Sequence, residues 1–184
     1  MASPESEIGI RLLERLSAGE FVGAWVLDPG RSTVALRSKS IWGMAPVNGT
    51  FTELTGEGTV SPTGEVTGTL TVAAASIDTN IKKRDSHLRS ADFFDSDAYP
   101  HIVFTARGLT TAADSGLAVI GTLQVRDETR PITVPIRVSA SGNELAQLDA
   151  EITVDRSEFG LTWNQLGMVS LKNVINVRAV FTRR

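Results

Sequence analysis

Cysteine is absent from the 184-residue chain. No disulfide, thiolate nucleophile, iron–sulfur cluster or cysteine-linked lipid anchor is therefore available. Histidine occurs twice, too few for a three-histidine zinc site. Basic charge is also short: 18 Lys+Arg stand against 21 Asp+Glu, for a net charge of −3. A nucleic-acid binder needs a basic face to release counterions, so the composition argues against one. No apolar run approaches the ~18 residues of a membrane span, which excludes a spanning helix. What is present is ordinary for a folded chain, with 41% hydrophobic and 21% charged residues. The length suits one domain with a sizeable core.

Residues 1–20 form a unit of their own. Glu5, Glu7, Arg11, Glu14 and Arg15 interrupt every apolar stretch that a secretory signal would need. The expected address is the cytoplasm. Ile8, Leu12, Leu13 and Leu16 fall at helical spacing, with Ser6 placed as N-cap and Gly19 as stop, so a short amphipathic helix or a partly ordered tail is expected. As a membrane-surface helix it would lack the usual basic excess.

From Phe21 onward the period is two. Val66, Leu70, Val72 and Ala74 share one face with Gly68, with threonines opposite. The alternation is clearest in Ile132/Val134/Ile136/Val138 and in Ala146/Leu148/Ala150/Ile152/Val154. Turn residues punctuate the runs at Asp28-Pro-Gly30, Asn48-Gly49, Ser61-Pro-Thr-Gly64, Ser115-Gly116 and Ser141-Gly142-Asn143. Pro131 and Pro135 suit strand starts or outward bulges better than a central ladder. Eight or nine strands, each half apolar, predict an all-β antiparallel sheet over residues 21–184, closed on itself or folded into a sandwich. Closure is favoured because an open sheet would expose two edges.

One segment breaks the pattern. Asp78 to Tyr99 is charged, lacks strand periodicity and is too long for a hairpin turn, with one or two helical turns expected over Ser86–Phe94. Long insertions in compact domains are usually functional, often as lids.

The order of motifs around that insertion resembles the YceI family. It runs Ser76-Ile-Asp-Thr79, Arg84-Asp-Ser-His-Leu88, Arg89-Ser-Ala-Asp-Phe-Phe94 and Tyr99-Pro-His-Ile-Val-Phe104. Trp25-Val-Leu-Asp-Pro29, Val47-Asn-Gly-Thr-Phe51, Gly121-Thr-Leu123 and Asp155-Arg-Ser-Glu-Phe-Gly160 agree with it, so the resemblance covers about residues 21–184. It implies a lipocalin-like, eight-stranded antiparallel β-barrel around a long apolar tunnel. It also implies a non-enzymatic binder of a polyisoprenoid lipid or an isoprenoid quinone, with no cofactor, often dimeric and often exported. Gly23-Ala-Trp25 additionally matches the lipocalin G-x-W opening. Three departures stand out: Leu36 stands where Phe is common, no histidine lies near Ser40, and Asp127 replaces a common hairpin glycine, a place where Asp tolerates the left-handed conformation.

The expected tunnel liners are Leu36, Trp42, Met44, Phe51, Leu88, Phe93, Phe94, Phe104, Phe159, Trp163 and Met168, each of which also suits an ordinary core. Small residues on the inward face (Ala74, Ala106, Gly121, Ala150 and Ala179) would leave room for a chain. Lys82, Lys83, Arg84 and Arg89 are the densest basic cluster, and Arg84 and Arg89 are the candidates for a polar head group. His87 and His101 lie among several aspartates, but the spacing fits neither an EF-hand nor a G-x-S-x-G hydrolase, so no metal site is expected. The aspartates are expected to cap turns and pair with Arg84 or Arg89. Three other readings stay open: another amphiphile such as a fatty acid amide, a small hydrolase using His87 and an aspartate, and a filled barrel with a structural role.

Overall fold

The computed structural model describes residues 4–40, 45–112, 116–164 and 169–184. Helix α1 (Pro4–Ser17) precedes eleven strands: β1 (Gly23–Leu27), β2 (Thr33–Ser40), β3 (Ala45–Phe51), β4 (Leu54–Val60), β5 (Val66–Ala73), β6 (Ile77–Asp78), β7 (His101–Thr110), β8 (Leu117–Val125), β9 (Glu128–Ser141), β10 (Leu145–Asp155) and β11 (Val169–Arg183). Helix α2 (Lys82–Arg89) lies between β6 and β7. All pairings are antiparallel, and β1 pairs with both β4 and β11, closing the ring β1–β4–β5–β7–β8–β9–β10–β11. The fold is the expected eight-stranded barrel.

The extra strands arise because three of the eight are kinked. Along the inner wall β1 continues as β2, β3 as β4 and β5 as β6, so that β2–β3–β6 repeats the pairing of β1–β4–β5 one storey higher. The kinks are held by side chains that take over ladder bonds. Asp28 accepts from Gly30 N (3.0 Å) at the first, and Ser32 Oγ accepts from Val180 N (2.9 Å). Ser76 bridges the other two, accepting Glu53 N on its hydroxyl (3.2 Å) and Thr52 N on its carbonyl (3.2 Å). Ala74 therefore sits in a 3-10 turn, Ala74–Ser76, and not on the strand face expected for it.

Several turn signals are reassigned by packing. Asn48-Gly49 is no turn but lies within β3. A Cβ on Gly49 would lie 2.9 Å from Thr79 Cγ2 and 3.0 Å from Ile77 Cδ1, so this glycine admits the neighbouring strand β6. At the β8–β9 turn the left-handed residue is Arg126 (φ 57°), not Asp127. Pro131 and Pro135 lie inside β9, where only β8 pairs with it, since β10 joins from Ile136 onward.

Helix α1 begins at Pro4, so Ser6 lies within it and is not its N-cap; proline suits a first turn, whose N–H groups lack intrahelical partners. Gly19 (φ 78°) ends it as expected, donating to Leu16 O at 3.0 Å. Far from a loose tail, the helix closes one end of the barrel. Leu12, Leu13 and Leu16 pack on Phe21, Trp25 and Val60, and Trp25 Nε1 donates to Phe21 O at 3.0 Å. Among the described residues no helix is long and apolar enough to cross a membrane.

A rung of small residues crosses the inner wall through Gly58, Gly68, Ala106 and Gly121, which are register partners in turn on β4, β5, β7 and β8. A Cβ on Gly121 would collide with the Thr105 carbonyl and lie 3.0 Å from Phe104 Cζ. Gly121→Ala is accordingly expected to destabilise the protein by about 1–3 kcal/mol, the usual cost of overpacking. Urea unfolding of the variant measures it, and an unchanged midpoint would contradict the close strand approach.

Candidate functional site

The inward faces of the strands enclose a cavity of 610 Å³. Its wall is built by the alternating residues of β9 and β10 (Ile132 to Val138, Ala146 to Val154), by Ile175, Val177, Ala179 and Phe181 of β11, and by Val34 and Leu36 of β2. At the ~30 Å³ a water-sized group occupies in a liquid, the space suits roughly 20 non-hydrogen atoms. Leu12, Leu16, Phe21 and Trp25 floor it at the α1 end.

At the other end lies the insertion. Of the expected liners, Leu36, Phe51, Leu88, Phe93, Phe94, Phe104, Phe159 and Trp163 all border the cavity. Trp42, Met44 and Met168 fall outside the described residues. Ala106, Ala150 and Ala179 line it too, whereas Gly121 makes its space over to the Phe104 ring.

The helical part of the insertion is α2, Lys82–Arg89, and it ends earlier than the expected Ser86–Phe94. Turns then carry Phe93 and Phe94 down into the barrel. Phe93, 7% exposed, packs with Leu123, Val125, Phe159 and Leu161. Phe94 meets Phe51 edge-on at 5.8 Å. His87 stands edge-on to Trp163 (4.5 Å) and Phe93 (5.2 Å), and its Nε2 is 2.9 Å from Asp92 Oδ2. The insertion is thus pinned by aromatic rings over the barrel end.

Polar bonds hold it, though not by the expected aspartate–arginine pairs. Buried Asp85 accepts from Thr79 N (2.9 Å) and Thr79 Oγ1 (2.5 Å), and Asp78 accepts from Asn80 N (2.8 Å). Arg84 donates to Thr79 Oγ1 and Thr79 O, at 2.8 and 3.0 Å. Arg89 donates to Ile77 O at 2.8 Å. Arg84 borders the cavity; Arg89 is not among its lining residues. Among the described residues no group of three His, Asp or Glu side chains is placed to hold a metal, and no hydroxyl is bonded to the His87 imidazole.

Sequence reasoning gave Arg156 no role, yet it organises the rim. Its guanidinium is buried, donating to Leu161 O (2.5 Å), Ser170 O (3.1 Å) and Val169 O (3.4 Å), with the Phe93 ring 5.5 Å away. Burial lowers its pKa, offset in part by the Asp155 charge. Only its place inside Asp155-Arg-Ser-Glu-Phe-Gly160 hinted at this. Asp155 caps the following 3-10 turn by accepting from Ser157 Oγ (2.6 Å) and Ser157 N (2.9 Å). Those bonds hold its carboxyl below the usual 3.8. A depressed carboxyl contributes stability that is complete above the unfolded value and is lost as pH falls through the lower folded one. Asp155→Ala should therefore lower Tm at pH 7, and the difference from the parent protein should shrink on acidification below pH 3.8. A gap that stays constant down to pH 2 would contradict this reading.

With the barrel, its cavity and the insertion described, comparison with known proteins gives the family. The model of the YceI-like domain matches residues 25–182, and the chain belongs to this family. It is similar to Protein YceI of Salmonella arizonae, 30% identical over 118 residues, covering 60% of this chain and 61% of that protein. With Protein YceI of Shigella flexneri it is 35% identical over 75 residues, 41% of this chain and 39% of that one. The matches thus span 39% to 61% of these relatives' length. Burkholderia cenocepacia BcnA has a similar fold, with a TM-score of 0.74 at 22% identity, covering 84% of this chain and 98% of that one. So does a polyisoprenoid-binding domain from Saccharophagus degradans, with a TM-score of 0.70 at 15% identity, covering 87% and 98%.

Proposed function

We propose that the barrel binds a polyisoprenoid lipid, stores or carries it, and performs no chemistry on it. The observation that carries this reading is the cavity itself: aliphatic side chains from every wall around 610 Å³, closed at one end by α1 and roofed by Phe93 and Phe94. Burying several hundred Å² of a prenyl chain, at ~25 cal/mol per Å², contributes on the order of 10 kcal/mol before the costs of immobilisation. That gross gain is several times one polar contact. Specificity then follows chain length, and the volume suits about four isoprene units. Membership of the YceI-like family and the fold shared with a polyisoprenoid-binding domain support the same class of ligand. Of the two arginines considered for the head group, only Arg84 borders the cavity, while Arg89 ties α2 to β6.

Mass spectrometry of an organic extract of the purified protein tests the proposal. A retained isoprenoid, either a plain polyprenyl chain or an isoprenoid quinone, is expected. Protein that yields no lipid, and takes none up when incubated with prenyl lipids in detergent, would overturn it. A substrate consumed by the parent protein but not by His87→Ala would instead favour the hydrolase.

A further inference from the structure

The cavity wall is apolar along β2 and β11 except at one rung. After Val34 and Leu36 the next inward residue of β2 is Ser38, and after Phe181, Ala179, Val177 and Ile175 the next of β11 is Asn173. The two are register partners, and each is only 8% exposed. Residues directly opposite on one face of a sheet have Cβ atoms about 4.5–5.5 Å apart, yet no hydrogen bond joins this pair. Ser38 Oγ is shielded from water and has no partner among the described residues. Asn173 Nδ2 donates one N–H to Leu171 O at 3.1 Å, which orients the amide, and no hydrogen bond to its Oδ1 is made among the described residues.

A buried hydroxyl without a partner is costly, and native proteins seldom keep one without a use. We infer that the Ser38–Asn173 rung is the head-group site of the bound lipid, and that the head it takes is a terminal hydroxyl. This inference rests on the prenyl-lipid reading above. Complementarity decides the chemistry. The rung offers the Ser38 O–H as a donor, the second Nδ2 N–H of Asn173 beside it, and Asn173 Oδ1 as an acceptor. A hydroxyl satisfies donor and acceptor at once, accepting from the serine and donating to the amide. A quinone carbonyl or an ether oxygen only accepts and would leave Oδ1 without a donor, and a diphosphate would set its charge against the Oδ1 lone pairs. The nearby cations do not reverse this. Arg156 is anchored by one bond from each nitrogen to a backbone carbonyl, Arg84 by its Nε and Nη2 to Thr79, and His87 by Asp92. The rung lies at the α2 end, so the head sits beneath the lid and the tail runs toward Trp25 and α1.

The test measures displacement of a fluorescent prenyl analogue by four C20 probes: the isoprenoid alcohol, its methyl ether, the terminal hydrocarbon and the diphosphate. The alcohol is expected to bind about 3- to 10-fold better than the ether, and the ether better than the hydrocarbon by a similar factor, one hydrogen bond apart each time. Asn173→Leu should reduce the alcohol to the level of the ether. Ser38→Ala should reduce the ether to the level of the hydrocarbon, leave the hydrocarbon unchanged and not lower Tm without ligand, an outcome a structural serine would not give. Should Asn173→Leu fail to fold, Ser38→Ala decides alone. Equal binding of alcohol, ether and hydrocarbon, tightest binding of the diphosphate, or an unchanged order in Ser38→Ala would overturn the head-group site and leave the lipid cavity standing. Failure of all four probes to bind would remove the prenyl-lipid reading as well.

Discussion

Truncating Phe93 to alanine is expected to lower the melting temperature by about 6–20 °C and to speed the release of a bound lipid. The ring is buried between Leu123, Val125, Phe159 and Leu161, beside Trp163 and His87. Removing a buried phenylalanine typically costs ~3–5 kcal/mol, and each kcal/mol moves Tm by ~2–4 °C in a domain of this size. Native domains have ~5–15 kcal/mol in hand, so the single variant should still fold. The loss falls where the insertion is fastened. Changes to such contacts appear mainly in dissociation rates, so stopped-flow transfer of a fluorescent prenyl analogue to acceptor vesicles should quicken in Phe93→Ala and more so when Phe94→Ala is added. His87→Ala, which removes a half-exposed ring bonded to exposed Asp92, should change release far less. Release from the double variant at the parental rate would sink the lid.

The second large effect is expected from Ala106→Trp. Ala106 borders the cavity midway along β7, between Gly68 and Gly121 in register, where the wall is thinnest in side chain. An indole there projects into empty space and not into packed core, so its cost should fall at or below the low end of the ~1–3 kcal/mol of overpacking. Lipid recovered by extraction should drop at least tenfold while the far-UV spectrum stays that of the parent barrel. Full lipid content in the folded variant would place the ligand elsewhere. Gly121→Phe, on the neighbouring strand, is no substitute, because its Cβ would meet the Thr105 backbone before the ring reached the cavity.

The barrel was legible because each strand is dry on one face and wet on the other. Ile132, Val134, Ile136 and Val138 alternate with outward residues, and that period survives any twist of the sheet. The kinks were not, since the Ala74–Ser76 turn is held by Thr52 and Glu53 of a distant segment, and Asn48-Gly49 stays extended because Ile77 and Thr79 pack against it. Local turn chemistry carries no record of such neighbours. The aromatic residues of the insertion pointed to a segment packed against the barrel, but its fastening by carbonyl-bound arginines did not show, because a guanidinium's partner there is backbone. Ser38 and Asn173 were hidden for a different reason: a polar residue at an inward position reads, from sequence, as the end of a strand.

The pairing of β1 with β11 sets the order of events during synthesis. Trp25 finds Arg183, and Val26 finds Thr182, only once β11 has been made. Until then β1 offers β4 one side and nothing the other, and β10 waits with a free edge. Neighbouring hairpins from β4 through β10 can form as they emerge, but the last zippering step joins residues of very high sequence separation and pays its loop entropy at once. The nascent barrel is therefore an open, apolar-faced sheet for most of its time on the ribosome, the form most exposed to edge-to-edge association. For this architecture, yield in the cell should depend on how fast the final strand is delivered as much as on the stability of the closed product.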